Sequence, residues 1–152
     1  MSLRTRFTDD MKDALRNRET ARLGAIRLIV AKMKEADVEA RGAGKGEASE
    51  AELLTMLQKM IKQRQDSIEA YVKGSRQDLA DVEAAEIAVI QAYLPKQMSE
   101  DEVKAAIAAA IAATGATAMK DMGKVVAMLK EKHSGQMDFG KASGMVKAAL
   151  GG

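Results

Sequence analysis

Apolar side chains recur at intervals of three and four residues along almost the whole chain, which is the spacing of amphipathic α-helices. Segments that alternate apolar and polar residues, as half-buried strands do, are missing from the sequence. The clearest helical stripe, in the middle of the chain, consists of Leu53, Leu57, Met60, Ile61, Ile68 and Tyr71. The pattern therefore predicts an all-α fold.

Capping signals divide this pattern into about seven helices. Ser49 with Glu52, and Ser99 with Glu102, are capping boxes that start the third and the fifth helix. Residues 17–20 contain no strong helix breaker, so the first two helices are expected to run nearly straight into each other. The predicted N-caps of the two short helices near the C-terminus are Asp121 and Asp138.

The only proline, Pro95, marks the predicted domain boundary, because a new capping box follows it almost at once. The residue before a proline avoids helical angles, so the fourth helix is predicted to end at Leu94. We expect an N-terminal long-helix domain of about four helices over residues 1–94. A hinge over residues 95–98 and a small C-terminal three-helix bundle over residues 99–152 complete the predicted organisation.

Three charged residues fall inside the apolar stripes of the third and fourth helices. Arg64 interrupts the stripe of the third helix. Glu83 and Glu86 interrupt the stripe of the fourth helix, which consists of Leu79, Val82, Ile90 and Tyr93. An isolated buried charge is too costly to keep, so we predict that these residues form a structural ion pair. The alternative, an acid–base couple of the two glutamates, has no support from a neighbouring substrate-binding motif.

Composition narrows the chemistry that the chain can perform. The 152 residues are 47% hydrophobic and 30% charged, and the net charge of +2 does not by itself mark a nucleic-acid-binding protein. The absence of cysteine excludes disulfides, a thiol nucleophile and thiolate metal sites. The single histidine, His133, has no neighbouring ligands at metal spacing. We predict no catalytic residue, no metal and no cofactor.

The N-terminal residues lack the apolar run of a signal peptide, and three early aspartates argue against a mitochondrial presequence. The most apolar run, residues 103–113, is too short to span a bilayer. These features predict a cytoplasmic protein without a membrane partner.

Several short motifs follow one another in a fixed order. They are Lys62-Gln63-Arg64, Ser67-Ile68-Glu69, Tyr93-Leu94-Pro95, Lys120-Asp121-Met122-Gly123-Lys124-Val125, and Gly135 with Asp138. Together they resemble the GatB/YqeY domain family, and the chain is similar to its stand-alone YqeY-like members. Members of the family often have Gly-Arg-Ala-Asp-Gly at the last motif, where this chain has Gly135-Gln136-Met137-Asp138-Phe139 and so lacks the arginine.

The resemblance implies a function near tRNA. The same domain forms the tail of one subunit of the tRNA-dependent amidotransferase, where it helps to hold tRNA and performs no chemistry. The chain is therefore expected to be a non-catalytic accessory module that binds tRNA or associates with amidotransferase or synthetase components, itself a monomer. One alternative is carbon–nitrogen ligase activity with glutamine as amide donor, exerted only within a complex. A second alternative is a helical protein–protein adaptor.

Two groups of cations are candidates for RNA contact. Lys120 and Lys124 lie four residues apart at the predicted start of the sixth helix, and Lys141 opens the seventh. Cations are unfavourable at a helix N-terminus, and a bound phosphate would relieve that cost. The second group surrounds the junction of the first two helices and consists of Arg16, Arg18, Arg22 and Arg27. Because aromatic residues make up only 3% of the chain, RNA is expected to be read by backbone and shape.

Overall fold

The computed structural model describes residues 1–151, and these residues form seven α-helices without a β-strand. The helices are α1 (Leu3–Arg16), α2 (Thr20–Gly42), α3 (Glu50–Lys73), α4 (Gln77–Gln91), α5 (Glu100–Thr114), α6 (Met122–Lys132) and α7 (Phe139–Gly151). A 3₁₀ turn, Met119–Asp121, leads into α6. The prediction of an all-α fold is confirmed.

The chain divides into two compact units, and the first comprises Met1–Leu94. Its helices α1 to α4 enclose a core in which α3 and α4 form an antiparallel hairpin. The largest side chains in this core that are fully buried are Phe7, Ile26, Ile29, Leu53, Leu57 and Ile90. The rings of Phe7 and Tyr93 meet edge to face, with centroids 4.9 Å apart, and close the core at the end of α4.

The second unit begins at Pro95 and contains α5, α6 and α7. Its core is built from Ile107, Val125, Leu129, Met137 and Val146. Two residues of the predicted hinge are bonded within this unit. The Met98 N–H donates to the Gln136 carbonyl (2.9 Å), and Gln97 Nε2 donates to the Gly135 carbonyl (2.6 Å). A hinge over residues 95–98 stays a prediction.

The capping boxes of α3 and α5 are present as predicted. In each, the serine hydroxyl accepts the backbone N–H of the glutamate three residues later, and that glutamate accepts the N–H of the serine. Among the described residues, no single helix is long and apolar enough to cross a membrane. Only α5 and the segment Met119–Lys132, taken together, have the required length and apolar composition. These two segments are bent by 98° relative to each other.

The junction of α1 and α2 differs from the prediction, because the two helices do not continue into each other. Arg18 adopts the left-handed conformation with φ of 54°, and the N–H of Glu19 donates to the Ala14 carbonyl (2.9 Å). This closes α1 in the way that a C-terminal glycine usually does. The break lets α2 pack against α1, which buries Ala14 against Leu23 and Ile26.

The end of α4 also differs from the prediction. The helix ends at Gln91, three residues before the predicted end at Leu94, and turn residues lead to Pro95. Tyr93 leaves the helix and enters the core, where it is buried.

Candidate functional site

The charged residues predicted between α3 and α4 lie together. Arg64 Nε donates to Glu86 Oε2 (2.8 Å), and Glu83 Oε2 lies 3.9 Å from the same nitrogen. The Arg64 side chain is 14% exposed, and it also donates to the Met60 carbonyl (3.1 Å). These two hydrogen bonds go to one acceptor on α4 and one on α3. The contacts therefore support a structural role for these residues, which hold the α3–α4 hairpin together.

A second ion pair in the first unit was missed in the sequence. Asp37 is the only buried charged residue among the described residues, and its partner is Arg4. The signal was the same as the one that identified Arg64. Asp37 lies on the buried face of α2 with Ile26, Ile29 and Ala40, so it is a polar interruption of an apolar stripe.

The four arginines around the α1–α2 junction are not equivalent. Arg22 is half-buried, and carboxylate oxygens of Asp10, Asp13 and Glu19 lie 3.7, 3.3 and 2.9 Å from its guanidinium nitrogens. Its charge is therefore largely satisfied within the protein. The other three, Arg16, Arg18 and Arg27, are exposed.

The helix ends beside the candidate lysines already carry carboxylates. Asp138 Oδ1 accepts the N–H groups of Gly140 (2.8 Å) and Lys141 (3.3 Å), so it caps α7 as predicted. Asp121 precedes α6, but it accepts the N–H groups of Thr117 (3.1 Å) and Ala118 (3.3 Å), which lie before the helix. The predicted side-chain cap of α6 is therefore not formed.

The carboxylate of Asp121 lies within the field of two lysines. The pKa of Asp121 is lowered, first by the Thr117 N–H, then by the Ala118 N–H and by the positive charges of Lys124 and Lys120. Negative charge is thus present at both predicted phosphate-binding helix ends. Phosphate would have to be bound by the lysine side chains and not by free backbone N–H groups.

The structure separates Lys141 from Lys120 and Lys124. A Cβ placed on Gly151 would lie 3.0 Å from Met119 Sδ, so the 3₁₀ turn packs on the C-terminal end of α7. Lys141, at the other end of α7, lies about 15 Å along the helix from Gly151. Lys147 lies only one turn, about 6 Å, from Gly151 on the same helix face. We call the exposed set Lys120, Lys124 and Lys147 the lysine surface.

Charge is distributed unevenly between the two units. Residues 95–152 contain eight Lys and no Arg against six Asp or Glu, whereas residues 1–94 contain sixteen cationic and sixteen acidic side chains. The excess positive charge of the chain therefore belongs to the second unit. Within residues 1–151, no group of three or more His, Cys, Asp or Glu side chains is placed to hold a metal ion.

Comparison with curated proteins finds relatives from fungi. The chain is 33% identical over 100 residues to "Altered inheritance of mitochondria protein 41, mitochondrial" of Lachancea thermotolerans, which covers 64% of this chain and 52% of the relative. The proteins of the same name from Candida glabrata (33% over 95 residues, 60% and 51%) and Saccharomyces cerevisiae (31% over 85 residues, 56% and 44%) are similar. The chain spans about half the length of the curated relatives that it matches.

The names of these relatives contradict the prediction of a cytoplasmic location, because each name places its protein in the mitochondrion. The prediction rested on the absence of recognisable targeting features in the sequence, and such an absence does not determine the compartment of a protein. The family described as "Yqey-like protein" matches residues 4–150, which is nearly the whole sequence. This chain therefore belongs to the YqeY-like protein family.

Proposed function

We propose that this chain is a non-catalytic accessory module that holds tRNA through the lysine surface of its second unit. The observation that carries the proposal is the excess of lysine in that unit, together with the position of Lys120, Lys124 and Lys147. All three are exposed, and none of them forms an ion pair with a carboxylate among residues 1–151. Exposed cations that form no ion pair attract a polyanion with little desolvation cost.

Contact with the RNA backbone is the mode of binding that these side chains support. Lysine is a point charge that neutralises phosphates without reading bases. Three such contacts give a slope of about −2 to −3 in a plot of log affinity against log salt concentration. Binding is therefore expected to be weak at physiological salt and much stronger at low salt.

The test is fluorescence anisotropy of labelled total tRNA with the full chain over a series of KCl concentrations. The triple variant Lys120→Ala, Lys124→Ala, Lys147→Ala is expected to lower the affinity for all tRNAs alike and to reduce the salt slope by about two to three units. The matched control is Lys130→Ala with Lys132→Ala, which removes two charges from the other end of α6. The helix content of this control variant, and its slope of log affinity against log salt concentration, should stay close to those of the wild type.

Single variants distinguish two lysines of α7. Lys147→Ala is expected to weaken binding more than Lys141→Ala, because Lys147 lies at the end of α7 that contacts the 3₁₀ turn. Full affinity in the triple variant would place the RNA surface elsewhere, with Arg16, Arg18 and Arg27 as the next set to replace. No binding of tRNA by the wild type at low salt would contradict the proposed function and favour the protein–protein adaptor.

The ligase alternative has a separate test. If the chain releases ammonia from glutamine, alone or with amidotransferase components added, it is an enzyme and not only an accessory module. We expect no glutaminase activity from the pure chain.

A further inference from the structure

Helix α2 carries apolar residues on two opposite faces. One face is buried in the first unit and contains Leu23, Ile26 and Ile29. The other face is exposed, and its residues Gly24, Leu28, Ala31 and Val38 form what we call the α2 outer strip. Leu28 is 43% exposed and Val38 is 64% exposed. A helix that is apolar on both faces is usually covered on both, so the outer strip lacks the partner that its composition indicates.

The α2 outer strip has room for a second helix to approach closely. A Cβ placed on Gly24 would have no atom within 4 Å. Ala31 lies in the middle of the strip, and its side chain is a single methyl group. Small residues at the crossing point allow two helices to pack at short interaxial distance. The two large apolar side chains, Leu28 and Val38, lie on opposite sides of that crossing point.

Two charged residues of α2 can pair with each other when a second copy of the helix runs antiparallel. Arg27 lies beside the outer strip, and Glu35 lies within it, between Ala31 and Val38. Arg27 lies one turn before Ala31, and Glu35 lies one turn after it. In two antiparallel copies of α2 that cross at Ala31, Arg27 of one copy lies level with Glu35 of the other. The same operation places Gly24 level with Val38, so that the small residue accommodates the larger one.

Both charged side chains can reach a partner on a second copy of the chain. Arg27 is exposed and has no carboxylate partner among the described residues. Glu35 contacts only Lys32 (3.2 Å), and its side chain is 69% exposed. Surface pairs of this kind contribute little, so Glu35 can leave Lys32 for an arginine at small cost.

We propose that the α2 outer strip is the interface with a second copy of this chain, which packs antiparallel about a two-fold axis at Ala31. The inference does not depend on RNA binding, because the strip belongs to the first unit and the lysine surface to the second. The proposed dimer is an alternative to the monomer that we expected from the sequence. A symmetric dimer makes each favourable contact twice, which strengthens an interface of modest size.

Sedimentation velocity of the full chain over a range of concentrations tests the proposal. The wild type is expected to show a reversible monomer–dimer equilibrium. Arg27→Glu places two glutamates level with each other at both ends of the interface, and Glu35→Arg does the same with two arginines. Each single variant should raise the dissociation constant of the dimer at least about tenfold. The double variant Arg27→Glu, Glu35→Arg exchanges the charges and should restore the dimer.

Two further variants separate assembly from folding. Ala31→Glu brings like charges together on the two-fold axis and should abolish the dimer, while far-ultraviolet circular dichroism shows unchanged helix content. Val82→Lys alters an exposed valine on α4, 56% exposed, and should leave the dimer intact. A wild type that stays monomeric at the highest concentration reached, or a double variant as weak as the single variants, would overturn the proposal.

Discussion

Arg4 and Asp37 form a bidentate ion pair that joins three separate segments of the first unit. Arg4 Nη1 donates to Asp37 Oδ2 (2.8 Å), and Arg4 Nη2 donates to Asp37 Oδ1 (2.6 Å). The pair also binds the backbone of Ala48, whose N–H donates to Asp37 Oδ1 (2.9 Å) and whose carbonyl accepts from Arg4 Nη2 (2.8 Å). It therefore attaches α1, α2 and the loop that leads into α3 to one another.

The first prediction concerns acid stability. The hydrogen bonds from Arg4, and then from the Ala48 N–H, lower the pKa of Asp37 from its ordinary value of 3.8 to about 2. Because the pKa is lower in the folded state, the stabilisation is present above about pH 4 and is lost as the pH falls towards 2. The free energy of unfolding should decrease by about 2 kcal/mol over this range through Asp37 alone.

Urea denaturation of the wild type and Asp37→Asn between pH 7 and pH 2 measures this contribution. The variant should be less stable above pH 4, and the difference should shrink towards pH 2. Glu39→Gln, an exposed carboxylate of the same helix, is the control and should run parallel to the wild type. Parallel curves for Asp37→Asn would contradict the prediction.

The second prediction concerns the ion pair between α3 and α4. Arg64→Ala leaves Glu83 and Glu86 without their cation in a partly buried position, and we expect a loss of about 3 kcal/mol in the free energy of unfolding. This value is at the low end for a broken buried pair because the glutamate side chains are 23% exposed.

The matched control is Arg76→Ala, which breaks the pair with Asp78 on the surface, where the two side chains are 57% and 66% exposed. It should cost less than about 1 kcal/mol in the same urea titration. Equal losses in the two variants would mean that the α3–α4 pair contributes no more than a surface contact.

The third prediction concerns the left-handed residues at helix ends. Ser75 follows α3 with φ of 60°, while Gly115 closes α5 with φ of 67°. Glycine adopts this conformation without the steric cost that a side chain brings. Ser75→Gly should therefore raise the free energy of unfolding by about 0.5–1 kcal/mol, and Gly115→Ala should lower it by about 1 kcal/mol.

Thermal and urea denaturation of both variants measure the two effects, which have opposite signs. A Cβ at Gly115 meets no atom within 4 Å, so a loss of stability there reports the backbone conformation alone. Destabilisation by Ser75→Gly would show that the serine side chain contributes more than its conformation costs.

The fourth prediction concerns Tyr93 and alkaline stability. Burial and the hydrogen bond from its hydroxyl to Asp10 Oδ2 (2.6 Å) raise the pKa of Tyr93 above its ordinary value of 10.0. Because the pKa is higher in the folded state, the stabilisation is present below pH 10 and is lost as the pH rises above it. Tyr93→Phe should cost about 1.5–3 kcal/mol at neutral pH, since a hydrogen bond to a charged group is removed while the packing on Phe7 remains.

Urea denaturation at pH 7 and at pH 10 to 12 tests this expectation. The stability difference between the wild type and Tyr93→Phe should decrease at the alkaline end. Tyr71→Phe, which removes the other tyrosine hydroxyl, is the control. A difference that does not change with pH would show that the hydroxyl of Tyr93 is not coupled to folding.

The type of secondary structure and several helix starts were predictable without knowledge of the tertiary fold. The capping boxes of Ser49 with Glu52 and Ser99 with Glu102 were predictable because their partners lie three residues apart. A local hydrogen bond depends on local conformation only, so the tertiary fold was not needed to find it. Arg64 was recognisable for a related reason, since helical spacing alone places it on an apolar face.

Other features depend on contacts between residues that are distant in the sequence, and these became visible only in the fold. At the α1–α2 junction, the left-handed conformation of Arg18 costs about 1–2 kcal/mol. The turn lets Leu23 and Ile26 become buried, which is worth about 1.5–3 kcal/mol for each side chain. Local sequence could not show that the second quantity exceeds the first.

The position of the lysines was decided in the same way. From the sequence we grouped Lys141, which opens the last helix, with Lys120 and Lys124. Only the packing of Met119 on Gly151 shows which end of α7 the 3₁₀ turn reaches. Helical periodicity determines the face on which a charge lies, whereas the apolar contacts between helices determine which charges become neighbours.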